Sequence, residues 1–166
     1  MDHRREITIE TTDLGHGRIL LVGTLRDRRF KPREGEEWTG PRVVHEMVAR
    51  LIVQGPEMTI LEAEAEMSRC PMDECREATA WMDRLVGQRI ISGFTQRVKD
   101  LMGDTKGCAH LTSLIISMGP EAVQGYWAAY GTERSKLSLD DPRVQRVINT
   151  CHLWREDGPI VRRLRG

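Results

Sequence analysis

The stretch "GDTKGCAHL", Gly103 to Leu111, sets a cysteine and a histidine two positions apart behind a glycine. Cys108 and His110 are side-chain types that supply nucleophiles, proton acceptors and soft-metal ligands. In mid-helix, residues i and i+2 point about 200° apart and do not face one centre. At a helix start, where the chain still turns after Gly107, they can converge. Cys108 would there lie near unpaired N–H groups and the positive end of the helix dipole, which stabilise a thiolate. That makes Cys108 the candidate catalytic residue, a nucleophile with His110 or His45 as base and helix-start N–H groups as oxyanion donors, for instance in acyl or thioester transfer. The bland alternative is a small cysteine packed under a core helix beside a surface histidine.

The remaining cysteines and histidines are weaker signals one by one. Cys70 and Cys75 flank "PMDE", a spacing that zinc ligand pairs sometimes use, but Cys75 also fits an apolar stripe. His45 interrupts the apolar strand "VVHEM", where either it or Glu46 must face the side opposite Val44 and Met47. In "TCHLW", adjacent residues diverge on a helix, so Cys151 is expected to be core. "EAEAE" puts carboxylates on one strand face, most simply a solvated edge.

These residues need elements to position them. "REITIET" alternates, "DLGHG" turns, and "RILLVGTLRD" returns, which predicts a hairpin through Gly15 and Gly17. Residues 31–41 hold two prolines and two glycines and read as a loop. A second hairpin joins "VVHEMVARLIVQ" to "MTILEAEAEM" across Gly55-Pro56, with "EAEAEM" read as strand from its period of two. After Cys70 the period lengthens. Met72, Cys75, Ala78, Thr79, Met82, Leu85 and Val86 predict an amphipathic helix stopping at Gly87. Phe94, Val98, Leu101 and Met102 mark a shorter one ending at Gly103. The helix opened by the first-quoted stretch turns Leu111, Leu114, Ile115 and Met118 inward, breaks near Gly119-Pro120 and resumes through Tyr130. After Asp140-Asp141-Pro142 a terminal helix carries Val144, Val147, Ile148 and Cys151. Strands first and helices later indicate an α+β fold, an antiparallel sheet of about four strands in the N-terminal half covered by C-terminal helices.

The 166 residues suit a single domain, 1–166, able to bury a core without staples. Lys and Arg total 25, as do Asp and Glu, so no overall field draws the chain to nucleic acid or an anionic membrane. Aromatic residues are 5% and do not interleave with basic ones, leaving no stacking platform for single strands. No apolar stretch approaches the roughly 18 residues of a spanning helix, and the start lacks a signal-like apolar run. A cytoplasmic protein with four reduced cysteines is expected. No G-x-G-x-x-G, Walker, H-E-x-x-H or G-x-S-x-G motif occurs, so no nucleotide cofactor is expected.

"HRREITIE", "VHEM", "ILEAEAEM", "LVGQRIISGFTQRVKDLMG", "GCAHLTSLI" and "NTCHLWREDGPIVRR" together resemble the bacterial family catalogued as domain of unknown function 2889, over most of the chain. The resemblance implies that His45, Cys75, Cys108, His110, Cys151 and His152 belong to a recurring pattern, and it carries no activity. The element order is also similar to iron–sulfur scaffolds of the NifU/IscU type, in which three cysteines and an aspartate converge at one sheet end. On that likeness Cys70 and Cys108 take comparable places and His45 stands near the aspartate, while Val43 stands where the first scaffold cysteine is expected.

With both resemblances, the leading expectation is a metal or thiol site of His45, Cys75, Cys108 and His110, with Cys70 as substitute ligand. Zn²⁺ or Fe²⁺ would suit such donors. The role would be accessory, delivering or sensing a metal or cluster for a partner enzyme, and the alternative is the Cys108 nucleophile.

Overall fold

The computed structural model describes residues 1–131 and 137–166. Two hairpins form one antiparallel sheet in the order β1-β2-β3-β4, from β1 (His3–Gly15), β2 (Arg18–Arg29), β3 (Arg42–Gln54) and β4 (Thr59–Arg69). The first turn holds Gly15, His16 and Gly17 at φ of 77°, 54° and 75°, the left-handed region that glycine enters without steric cost. Period two then decides the faces. Ile19, Leu21 and Leu25 of β2 and Met47, Ala49, Leu51 and Val53 of β3 are buried on one side. "EAEAEM" continues that side with Ala63, Ala65 and Met67, while Glu62, Glu64 and Glu66 face water. The fold is therefore α+β, its four-stranded antiparallel sheet in the N-terminal half and its helices following.

A 3₁₀ helix (Asp73–Leu85) packs along β4 and buries Met82 and Leu85. The stripe after Cys70 is thus helical, but wound more tightly than the α-helix its spacing suggests. Next come α1 (Phe94–Met102), a single 3₁₀ turn (Asp104–Lys106), α2 (Ala109–Tyr130), α3 (Pro142–Val147) and α4 (Pro159–Arg165). Helix α2 lies across β1, β2 and β3 and supplies the lid of the core with Leu111, Leu114, Ile115, Met118, Ala122 and Tyr126.

Two expectations are corrected. Helix α2 runs unbroken through Pro120. A proline inside a helix costs about 3 kcal/mol, and buried residues on both sides of it, from Leu111 to Met118 and from Ala122 to Tyr126, bridge the fault. Gly119 lets that stretch approach α1, since a Cβ there would stand 2.9 Å from a Phe94 ring carbon. The terminal helix, by contrast, stops at Val147. Ile148 is extended and Asn149 takes a φ of 63°, so Cys151 lies beyond the helix and is exposed. Among the described residues no helix is long and apolar enough to cross a membrane.

Candidate functional site

The buried row of β2, Ile19, Leu21, Gly23 and Leu25, does not end on an apolar residue. Its next member is Asp27, 1% exposed. Register places Arg5 of β1 opposite Asp27 on one side and His45 of β3 on the other, so a cation, an anion and an imidazole form one row across three strands. Just beyond, Arg28 pairs with Val43 and Val44 is left without a partner, a bulge that closes the regular ladder at this row.

The fourth member descends from α2. Gly107 permits the approach, because a Cβ there would stand 2.5 Å from the carbonyl oxygen of Met102. The Thr112 hydroxyl donates to the same carbonyl at 2.7 Å. These contacts tie the start of α2 to the end of α1 and fix Cys108, the extended residue that precedes the first helical turn. His110 then lies over the row, its ring stacked on His45 with centroids 3.8 Å apart and planes 27° from parallel.

Asp27 is the hub. Arg5 donates through Nε to Oδ1 at 2.8 Å and through Nη2 to Oδ2 at 2.7 Å. His45 Nδ1 lies 3.1 Å from Oδ2, and His110 Nε2 lies 3.7 Å from the same oxygen. On its other side, His110 Nδ1 faces the Cys108 sulfur at 3.8 Å. His3 Nε2 reaches to 3.8 Å of Oδ1 from the exposed rim.

Burial alone would push the Asp27 carboxyl up, but the hydrogen bonds and charge of Arg5, with His110 and His3, hold it below its ordinary value. Asp27 is therefore an anion at neutral pH. The Arg5 guanidinium is raised correspondingly, chiefly by its bonds to Asp27. Burial pushes the His110 imidazole down, and His45, Arg5 and His3 add to this against the opposing pull of Asp27. A neutral ring follows. A neutral ring that carries its proton on Nε2, the side of the carboxylate, would keep a free lone pair on Nδ1 toward the thiol.

Of the residues singled out from sequence, the structure brings together His45, Cys108 and His110. Cys75 lies on the 3₁₀ helix, partly buried against the core, and is outside the group. Cys70 directly follows β4 and is partly buried, and Cys151 and His152 are exposed. Asp27 and Arg5 were missed. Their signal was present, since positions paired about the first turn sum to 32, as in Ile7 with Leu25. The same sum pairs Arg5 with Asp27, and period two puts Asp27 in the row of Leu21 and Leu25.

Among the described residues, the side chains grouped so that they could hold a cation are Asp27, His45 and His110, whose ligand atoms all lie within 4.8 Å of one another. An ion bound to both imidazoles would lie in both ring planes, and the near-parallel stack keeps those planes apart at bonding range. Ligation by both rings therefore requires one of them to turn. Cys108 addresses the opposite nitrogen of His110 and does not share that set.

The family described as "Protein of unknown function (DUF2889)" matches residues 3–124 of this chain, a span that contains every member of the cluster. No curated protein and no solved structure matches the chain. The likeness to iron–sulfur scaffolds is not shown by these comparisons.

Proposed function

The chain belongs to this DUF2889 family, and from its site we propose that it works through a nucleophilic thiol in acyl transfer from an ester or thioester. The observation that carries the reading is that His110 has a sulfur at one ring nitrogen and a buried carboxylate at the other, at 3.8 and 3.7 Å. That is the order of groups a base-activated cysteine needs, with nucleophile, base and orienting anion in line. His110 Nδ1 accepts the Cys108 thiol proton as the sulfur attacks the acyl carbon. The carbonyl π-bond opens to an oxyanion, and the first-turn N–H groups of α2, which have no intrahelical acceptor, are its donors. When the carbonyl re-forms, the bond to the leaving thiol or alcohol breaks and that group takes the proton back from His110. Water or another acceptor then releases the acyl group from Cys108 by the same steps. Asp27, locked by Arg5, is a positioning residue that selects the tautomer.

The test is trapping. Incubation with p-nitrophenyl acetate or acetyl-coenzyme A should leave an acetyl group on Cys108, read by peptide mass spectrometry. Iodoacetamide should modify Cys108 faster than Cys70 or Cys75 at neutral pH, and His110→Ala should abolish that preference. Uniformly slow alkylation with no acetyl adduct would end the proposal.

A second reading is favoured by the three ligand atoms gathered at Asp27, His45 and His110. Two imidazoles and one carboxylate form a donor set for Zn²⁺ or Fe²⁺, and the protein would then be an accessory that delivers or senses an ion for a partner enzyme. Elemental analysis of anaerobically purified protein separates the readings. Near-stoichiometric metal that is lost in His45→Ala and kept in Cys108→Ser supports the second.

A further inference from the structure

A cavity of about 340 Å³ lies far from the thiol centre, where the middle of α2 meets the start of α1 and the segment after α3. Thirteen residues of α2 separate His110 from Val123 on its wall, about 20 Å along the helix axis at 1.5 Å per residue. Its walls include Ile90, Phe94, Val123, Val147 and Trp154, with Cys151 among the polar positions. The size is that of a small-molecule site, and the lining mixes the apolar walls with Ser92, Thr95, Gln124, Asn149 and Thr150. Much of the wall comes from residues beyond 124, outside the span that matches the family.

One wall residue is a part-buried cation that, among the described residues, has only a loose ion pair, with the charge of Asp141 also acting on it. The Arg146 side chain is 13% exposed, and its carboxylate partner among the described residues is Glu57 at 3.6 Å, itself 57% exposed. Neighbouring Arg143 is already spent on Asp141, held through Nε at 2.9 Å. Arg89 adds positive charge near Arg146 rather than relieving it. A part-buried guanidinium with so loose a partner can take a further anion at hydrogen-bonding distance, and the space beside it is lined by apolar side chains together with Ser92, Gln124 and Asn149.

We propose that this cavity binds a small carboxylate with an apolar body, its head on Arg146 and its chain against Phe94, Val123 and Trp154. Charge complementarity selects the head and the walls select the tail. The site goes beyond the thiol reading and does not depend on it.

Octanoate and 1-octanol serve as probes, one with the charge and one without. Calorimetry on the full chain should show saturable octanoate binding at least about tenfold tighter than octanol, the margin of one charge-assisted hydrogen bond. Arg146→Gln should abolish that margin, and Arg146→Lys should keep part of it. Bound octanoate should also slow iodoacetamide modification of Cys151 while leaving the rate at Cys108 unchanged. Equal affinity for the two probes, or an unprotected Cys151, would overturn the proposal. Both of those readouts use the wild-type chain, so they decide the matter even where Arg146→Gln does not fold.

Discussion

Replacing Asp27 by asparagine separates the charge of the hub from its shape. The carboxylate accepts two charge-assisted bonds from Arg5, each worth about 1.5–3 kcal/mol. Breaking a buried ion pair by removing one partner costs about 3–5 kcal/mol. Arg5, however, is 38% exposed, and water takes over part of the solvation of its freed guanidinium. We expect Asp27→Asn to destabilise the fold by about 2 kcal/mol at pH 7, measured by urea denaturation. The pH dependence fixes the cause. The native carboxyl titrates below its ordinary 3.8, so on acidification the unfolded chain takes up the proton first. The Asp27 contribution is thus fully present above about pH 4 and is lost as pH falls through the lower native value. Between pH 7 and 5 the gap between the two proteins should not close. His110 is depressed from 6.5 in the native state, so acidification through that region destabilises both chains, and more so the variant, which lacks the carboxylate that favours its protonated ring. A loss below about 0.5 kcal/mol, or a gap that persists unchanged down to pH 2, would refute the electrostatic account of the hub.

Removing the clamp instead of the hub, Arg5→Met leaves burial as the largest influence on Asp27. Its carboxyl should then titrate above the ordinary 3.8, followed by carbon-13 NMR of the side chain, and a value that stays depressed would show that Arg5 is not the cause. Glu36 is held at about 2 by Arg29, the backbone N–H of Arg33 and Arg42, so what it contributes is present above its ordinary 4.5 and is lost as pH falls through about 2. Glu36→Gln should loosen the loop over residues 31–41 and speed tryptic cleavage after Arg33. At Gly125 a Cβ would meet Thr11 side-chain atoms at 2.4 Å, and at Gly23 it would meet the flexible Met118 sulfur at 2.8 Å. Overpacking costs about 1–3 kcal/mol, and Gly125→Ala should lower Tm more than Gly23→Ala, because the short Thr11 side chain has less room to yield than methionine.

The sheet was legible because its strands obey period two and its turns carry glycine, so the hairpins and the α+β order follow directly from the residues. Helix type and helix ends were less so. The 3₁₀ winding of Asp73–Leu85 uses apolar spacings that an α-helix shares, and the continuity of α2 past Pro120 depends on packing partners in other elements. Asn149 ends the last stripe through a backbone conformation that its side-chain pattern does not encode. Within the site, Cys108, His110 and His45 stood out by residue type. Asp27 did not, because an aspartate in "RILLVGTLRD" reads as the polar end of a strand until register shows an arginine on one side of it and a histidine on the other. Cys75 stood out for the same reason as Cys108, yet its place on the 3₁₀ helix gives it packing neighbours and no member of the cluster.

A charge at the end of an apolar row is tolerated here because of where α2 begins. If α2 extended one turn further toward the sheet end, helix side chains would cover Asp27 and leave it without polar company. Instead the first turn of α2 comes down above the row, so its unpaired N–H groups and positive dipole end face the same side as the carboxylate. The fold therefore places a fixed anion, a neutral imidazole and a cysteine side chain at one rim. Asp27 stays ionised because Arg5 holds it. His110 stays neutral because burial, with His45, Arg5 and His3 adding to it, outweighs Asp27. Substitutions at the hub should therefore alter stability and thiol reactivity together, whereas changes at Arg146, on α3 and outside the cluster, should leave Cys108 chemistry unaltered.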